Sequence, residues 1–133
     1  MLSPLVAGEP SIVDVLERTT PRYTARLVDD QNVALPAASL LTLRLTLYVI
    51  TSTGAVTPVN GRDDQDVLNV NNVTINASGD LVWSVQIADT TLVEELPFER
   101  HIALWEWTWT TAAGTRAGKH ELVLVIRNLA SVP

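Results

Sequence analysis

Cysteine is absent from the 133 residues, and lysine, methionine and phenylalanine each occur only once. Without cysteine the chain has no disulfide bond and no thiolate metal ligand. No apolar run approaches the roughly 18 residues that a membrane-spanning helix needs. The start, MLSPLVAGEPS, also lacks the basic region and continuous apolar stretch of a secretory signal. The length predicts one globular domain, and we expect no membrane partner.

Basic residues are outnumbered, and the net charge of −6 is uneven along the chain. Residues 1–62 carry five arginines and five acids, which cancel, whereas residues 63–133 carry four basic and ten acidic residues. Because an acidic surface repels the phosphate backbone, we expect no nucleic-acid partner.

The motifs of common catalytic and nucleotide-binding sites are also missing, among them GxSxG, HExxH, GxGxxG and the phosphate-binding P-loop. The two histidines, His101 and His120, fall on predicted strands. In the strand register given below they lie about 26 Å apart, too far to share a metal. We therefore predict no catalytic residue and no cofactor, and we expect that the protein is not an enzyme.

Alternation of apolar and polar residues with a period of two is clearest between Ser39 and Ile50. A strand in this segment places on one face the residues Leu41, Leu43, Leu45, Leu47 and Val49. A helix would scatter the same leucines around its circumference, so the segment is predicted to be a strand.

Three further segments are interpreted in the same way. Residues 22–29 alternate and predict a strand. Residues 73–75 and 81–87 predict a hairpin whose core-facing residues are Leu81, Trp83, Val85 and Ile87. Residues 88–96 break the alternation and are interpreted as one or two helical turns.

The last third of the chain predicts an antiparallel hairpin with a mid-length loop at residues 111–118. A pairing that keeps one face apolar places Trp109 opposite His120 and Trp105 opposite Leu124. Trp105, Trp107 and Trp109 then share a face, which is typical of a core lining. A tryptophan row can also form an interface or stack on sugars, so an interface and a carbohydrate-binding module remain alternatives.

Together, about six to eight short strands predict an all-β fold, an immunoglobulin-like antiparallel β-sandwich over residues 21–133. Residues 1–20 contain Pro4, Gly8 and Pro10 and are predicted to form an extended N-terminal arm. Within this arm, residues 11–14 fit either a helix N-terminus or an initial strand.

Asp63, Asp64 and Asp66 are the best candidates for a cation site. Closely spaced carboxylates in a loop could supply oxygen ligands for calcium, but they lack the spacing of an EF-hand loop. The alternative is a solvated turn, or a loop that pairs with Arg62. Because the EF-hand spacing is missing, we predict no metal centre.

Four segments occur in an order that resembles a known group of proteins. They are the NGRDDQDVLN loop, the SGDLVW turn and strand, the ERHIALWEW strand and the AGKHE entry to the last strand. With the preceding YTARLVDDQNVALPAASLLTLRLTLYV, they resemble small immunoglobulin-like structural proteins of tailed bacteriophages, including baseplate upper proteins and proteins encoded among head and tail genes. The resemblance spans roughly residues 20–130.

This resemblance implies a non-enzymatic component of the virion that is assembled in the bacterial cytoplasm. We expect a capsid decoration or cement protein that stabilises the head, with a tail, baseplate or head–tail adaptor subunit as the alternative. Its partners would be other virion proteins, such as the major capsid protein or proteins near the tail and portal, and copies of itself. The candidate interface residues are Leu2, Leu5, Val6, Ile12, Val13, Arg62, Trp109 and Arg116.

Overall fold

The computed structural model describes residues 3–5 and 11–129. Within these ranges the chain forms ten strands and two single 3-10 turns, Ala37–Ser39 and Ile87–Asp89. No helix in the described part is long and apolar enough to cross a membrane. The strands are β1 (Ser3–Leu5), β2 (Ser11–Leu16), β3 (Arg22–Leu27), β4 (Leu40–Ile50), β5 (Val56–Pro58), β6 (Gln65–Asp66), β7 (Val73–Ile75), β8 (Asp80–Ser84), β9 (Phe98–Thr111) and β10 (Gly114–Arg127).

The strands are arranged in two sheets. The smaller sheet has the order β1-β3-β8-β7, and the larger has the order β2-β10-β9-β4-β5, with β6 also paired to β4. The predicted all-β sandwich is therefore confirmed. The strands outnumber the expected six to eight because of β1 and β6, which are three and two residues long.

A single hydrophobic core lies between the two sheets. In β9 every odd-numbered residue from Glu99 to Trp109 is buried, while the even-numbered residues point the other way. Trp83 of the smaller sheet meets Trp105 of the larger one edge to face, with ring centroids 5.5 Å apart. The interpretation of the tryptophan row as a core lining is confirmed.

β4 departs from strict alternation at its first residues. Leu40 pairs with Trp109 and Thr42 pairs with Thr108, so Leu41 is the extra residue of a β-bulge. Leu40 is buried, whereas Leu41 is 48% exposed. The prediction that Leu41 shares the core face of Leu43 is wrong, because the bulge reverses the direction of the side chain there.

The β9–β10 hairpin is tighter than predicted. Thr111 pairs with Gly114 across a two-residue turn, so most of the predicted loop at 111–118 is strand. His120 lies opposite Trp105, and Trp109 lies opposite Arg116. The predicted register differs from the observed one by four residues. Because four is an even number, the predicted faces are right although the predicted partners are wrong. His120 is then about 13 Å along the strands from His101, not 26 Å.

The hairpin of β7 and β8 is confirmed, with Val73 opposite Trp83 and Ile75 opposite Leu81. Ile87 is an exception, since it begins a 3-10 turn and is 56% exposed instead of facing the core. Residues 88–96 are predicted to contain one or two helical turns, and the 3-10 turn Ile87–Asp89 overlaps the start of this segment.

The N-terminal segment contributes strands to both sheets. β1 pairs in parallel with β3, and β2 pairs in parallel with β10, each at the edge of its sheet. Residues 11–16 are thus a strand and not a helix start. The sandwich is not purely antiparallel, and an extended arm over residues 1–20 is not confirmed. The domain boundary at residue 20 stays a prediction.

Candidate interaction surface

The alternation that fills the core leaves the opposite side of the larger sheet facing outward, and we call this side the outer face. One end of it has several exposed apolar residues beside Asp14, Arg100 and Arg127. The exposed fractions are 68% for Ile12, 65% for Val56, 57% for Phe98 and 54% for Ile50. These residues lie on four different strands of the same sheet. Large exposed apolar patches on soluble proteins mark sites of protein–protein contact.

An apolar row crosses the outer face from one edge of the sheet to the other. Each member lies directly opposite the next in the strand register, and the row consists of Ile12, Val123, Ile102, Tyr48 and Pro58. Burial, and to a lesser extent the charge of nearby Glu121, raise the pKa of Tyr48. The hydroxyl of Tyr48 is therefore uncharged at neutral pH.

A charged row crosses the same face about 13 Å further along the strands. Its members, again paired directly in register, are Lys119, Glu106, Arg44 and Asp66. The charges alternate in sign from strand to strand, and Lys119 Nζ lies 3.3 Å from Glu106 Oε2. Cross-strand neighbours of opposite charge stabilise a sheet modestly.

The outer face carries almost no net charge, although the chain carries −6. The register places on this face four basic and four acidic residues, namely Lys119, Arg44, Arg100, Arg127, Glu106, Asp66, Glu121 and Asp14. Asp64 lies beside them, with its Oδ1 3.9 Å from Arg44 Nε, and adds a fifth acid. Most of the surplus negative charge therefore lies elsewhere in the molecule.

A groove of about 370 Å³ opens beside the apolar row. Ile50, Leu96, Phe98 and Ile102 supply its apolar lining, and Glu94 and Arg100 supply charged groups. It extends the apolar surface past the end of the sheet.

The most extensive polar network is enclosed in the sandwich around Arg62. Its guanidinium donates to both carboxylate oxygens of Asp89, at 2.6 and 3.1 Å, and to the side-chain oxygens of Gln65 and Asn72 and the backbone oxygen of Asn71, at 2.9 to 3.0 Å. All five of its N–H groups thus have an acceptor. The Arg62 carbon Cζ also lies 5.8 Å from the ring centroid of Trp83.

A second buried pair continues this network. The two ring nitrogens of His101 lie 3.0 Å from the backbone oxygen of Asp89 and 3.0 Å from Glu99 Oε1. Glu99 also accepts the backbone N–H groups of Val93 and Glu94, at 2.8 and 2.6 Å. Burial alone would raise the pKa of Glu99, but these hydrogen bonds together hold its pKa below the usual value.

These buried groups hold loops in place. Arg62 joins the loop that contains it to residues 71–72 and to Asp89, and Glu99 ties residues 93–94 to β9. Asp89 and His101 are fully buried, and Glu99 is nearly so. Their hydrogen-bonding capacity is used inside the fold.

The aspartates of the 60s loop do not form a metal site with one another. Asp63, Asp64 and Asp66 are exposed, and no group of three metal-ligating side chains occurs in the described part of the chain. The loop contacts Arg62 through Gln65, at 2.9 Å, whereas the carboxylate that pairs with Arg62 is Asp89.

Two of the candidate interface residues need correction. Arg62 is 1% exposed because its side chain is hydrogen-bonded within the internal network. Trp109 is 4% exposed because it lines the core. Arg116 is exposed at the hairpin end and pairs with Asp30 at 3.1 Å.

The remaining candidates lie at the N-terminus. Ile12 is exposed on the outer face, and Val13 is half-buried against the core. Leu5 lies in β1 opposite Leu27, while Leu2 and Val6 fall outside the described residues.

Sequence reasoning missed Glu99 and Asp89. Glu99 lies an even number of residues from the buried tryptophans of β9, so the alternation predicts that its side chain points into the core. Asp89 lies in a segment without alternation, so its burial has no sequence signal.

No model of a known protein family matches this chain, and a search among curated proteins also finds no match.

Proposed function

We propose that the chain is a non-enzymatic structural subunit of a bacteriophage particle, a capsid decoration protein that stabilises the head through protein–protein contacts. The phage context derives from the resemblance over roughly residues 20–130. The proposal that the protein acts through protein–protein contacts is based on the exposed residues of the outer face.

The observation that supports this proposal most strongly is the exposed apolar row beside a charged row on one rigid sheet. Apolar centres with polar surroundings are the usual composition of protein interfaces. Backbone hydrogen bonding across the larger sheet fixes the relative positions of these side chains, so binding would require little reordering.

The experiment is a quantitative gel and mass spectrometry of purified particles of the phage that encodes the chain. We expect the protein in a fixed ratio to the major capsid protein, at many copies per particle. A small ring-like copy number would instead indicate the tail, baseplate or adaptor role. Absence from the particles would refute the proposal.

Incorporation can also be linked to the outer face. Phe98→Asp should reduce incorporation, because it removes a large exposed apolar side chain from that face and replaces it with a charge. Val33→Asp is the matched control, since Val33 is equally exposed, at 57%, but lies outside the larger sheet. Equal incorporation of the two variants would exclude the outer face as the contact surface.

A further inference from the structure

We propose that the outer face binds the outer face of a second copy of this chain, related by a two-fold axis parallel to the strands between β9 and β4. This inference rests on the proposed function, because it names one partner of the same surface.

The order of charges in the charged row carries the argument. From β10 to β6 the row is Lys119, Glu106, Arg44 and Asp66, which is positive, negative, positive, negative. A two-fold axis between β9 and β4 reverses this order in the second copy. Glu106 then faces Arg44 of the other copy, and Lys119 faces its Asp66. The row is thus complementary to itself about this axis, which pairs all four of its members.

The apolar row is matched by the same operation. Ile102 on β9 is placed over Tyr48 of the other copy, and Val123 on β10 over its Pro58. Facing sheets pack about 10 Å apart, a distance that side chains of this size fill. Apolar residues therefore meet apolar residues where the charged row is self-complementary.

The distribution of net charge points to the same partner. Two copies of a chain of charge −6 repel one another over most of their surfaces. The strands of the outer face have four basic and four acidic residues, and Asp64 beside Arg44 adds one acid, so the face approaches its own copy with little of that repulsion. A strongly charged partner would have little electrostatic attraction to a face that carries almost no net charge.

Two charge reversals test the orientation. Glu106→Arg brings two pairs of positive charges together in the proposed dimer, and Arg44→Glu brings two pairs of negative charges together. Each should weaken self-association at least about tenfold. An equimolar mixture of the two variants restores opposite charges at every facing position of the charged row, so it should associate again.

The measurement is sedimentation equilibrium of the full chain, with differently tagged copies for the mixture. The wild type should approach twice the chain mass of 14.5 kDa. Arg26→Glu is the matched control, because it breaks an exposed ion pair with Asp80 on the smaller sheet and should leave association unchanged. Circular dichroism verifies that each variant is folded.

A wild type that stays monomeric, or a folded mixture that does not associate, would overturn the inference. If such a monomer is still found in phage particles, the proposed function survives and the outer face binds another virion protein. If the dimer forms as described but particles lack the protein, the proposed function fails and the inference stands.

Discussion

Arg62 Nε lies 2.6 Å from Asp89 Oδ1 in the interior of the sandwich, where the two side chains are 2% and 0% exposed. Removing one member of such a pair leaves an uncompensated charge in a medium of low polarity. The pair joins segments that are 27 residues apart in the chain. It therefore acts as an internal connection between loops.

Arg62→Met should lower the free energy of unfolding by about 3–5 kcal/mol, because it leaves the Asp89 carboxylate without its main partner. Arg26→Met is the matched control: it breaks an exposed pair with Asp80 and should cost about 0–1 kcal/mol. Urea denaturation measures both. Equal losses would show that the buried pair has no special role.

Stability should fall in acid partly through Glu99. Its pKa is lowered in the folded state, so its contribution is fully present above the unfolded value of about 4.3 and is lost as the pH falls through the lower folded pKa. The Tm difference between the wild type and Glu99→Gln should therefore be largest at neutral pH and shrink below about pH 4.3. A pH-independent difference would contradict this role.

Gly79 and Gly54 form a matched pair of backbone positions. Both have φ of +84°, but an added Cβ at Gly79 would lie 1.9 Å from the backbone oxygen of Leu35, whereas at Gly54 it would meet nothing within 4 Å. Gly54→Ala should cost about 1–2 kcal/mol from backbone strain alone. Gly79→Ala should cost clearly more, as measured by thermal unfolding, and similar costs would indicate that the contact with Leu35 relaxes freely.

Because of the bulge in β4, truncation of Leu41 and truncation of Leu43 should differ strongly in their effect on stability, although the two residues share one alternating pattern. Leu43→Ala should destabilise the protein by about 2–5 kcal/mol because Leu43 is fully buried. Leu41→Ala should change stability by about 0.5 kcal/mol or less. Denaturant titration of both variants distinguishes this arrangement from an unbroken strand, in which the two losses would be alike.

All four tryptophans are at most 4% exposed. We therefore expect blue-shifted fluorescence, weak quenching by iodide and no response to added glycans. Strong quenching, or a glycan-dependent change, would favour the carbohydrate-binding alternative.

Much of the fold could be predicted because strand periodicity is a local property. The alternation in β9 and β10 identified both strands and their buried faces even with the wrong partners assigned, since faces depend only on parity. The bulge at Leu41 could not be found in this way, because one extra residue changes parity without any change in composition.

The candidate surface was less predictable than the fold. Arg62 was interpreted as an interface residue because charged residues are normally exposed. Its burial depends on acceptors from Gln65, Asn71, Asn72 and Asp89 that only the folded loops bring together.

The sequence by itself determined the all-β class, the shared face of Trp105, Trp107 and Trp109 and the absence of disulfides, because each follows from composition or from a period of two. The tertiary structure decided which strands are neighbours, and therefore which residues form the apolar and charged rows. Those rows combine residues from strands far apart in the chain, such as Ile12 with Val123 and Arg44 with Glu106. Their alignment depends on hydrogen-bond register, which the local pattern of one strand does not encode.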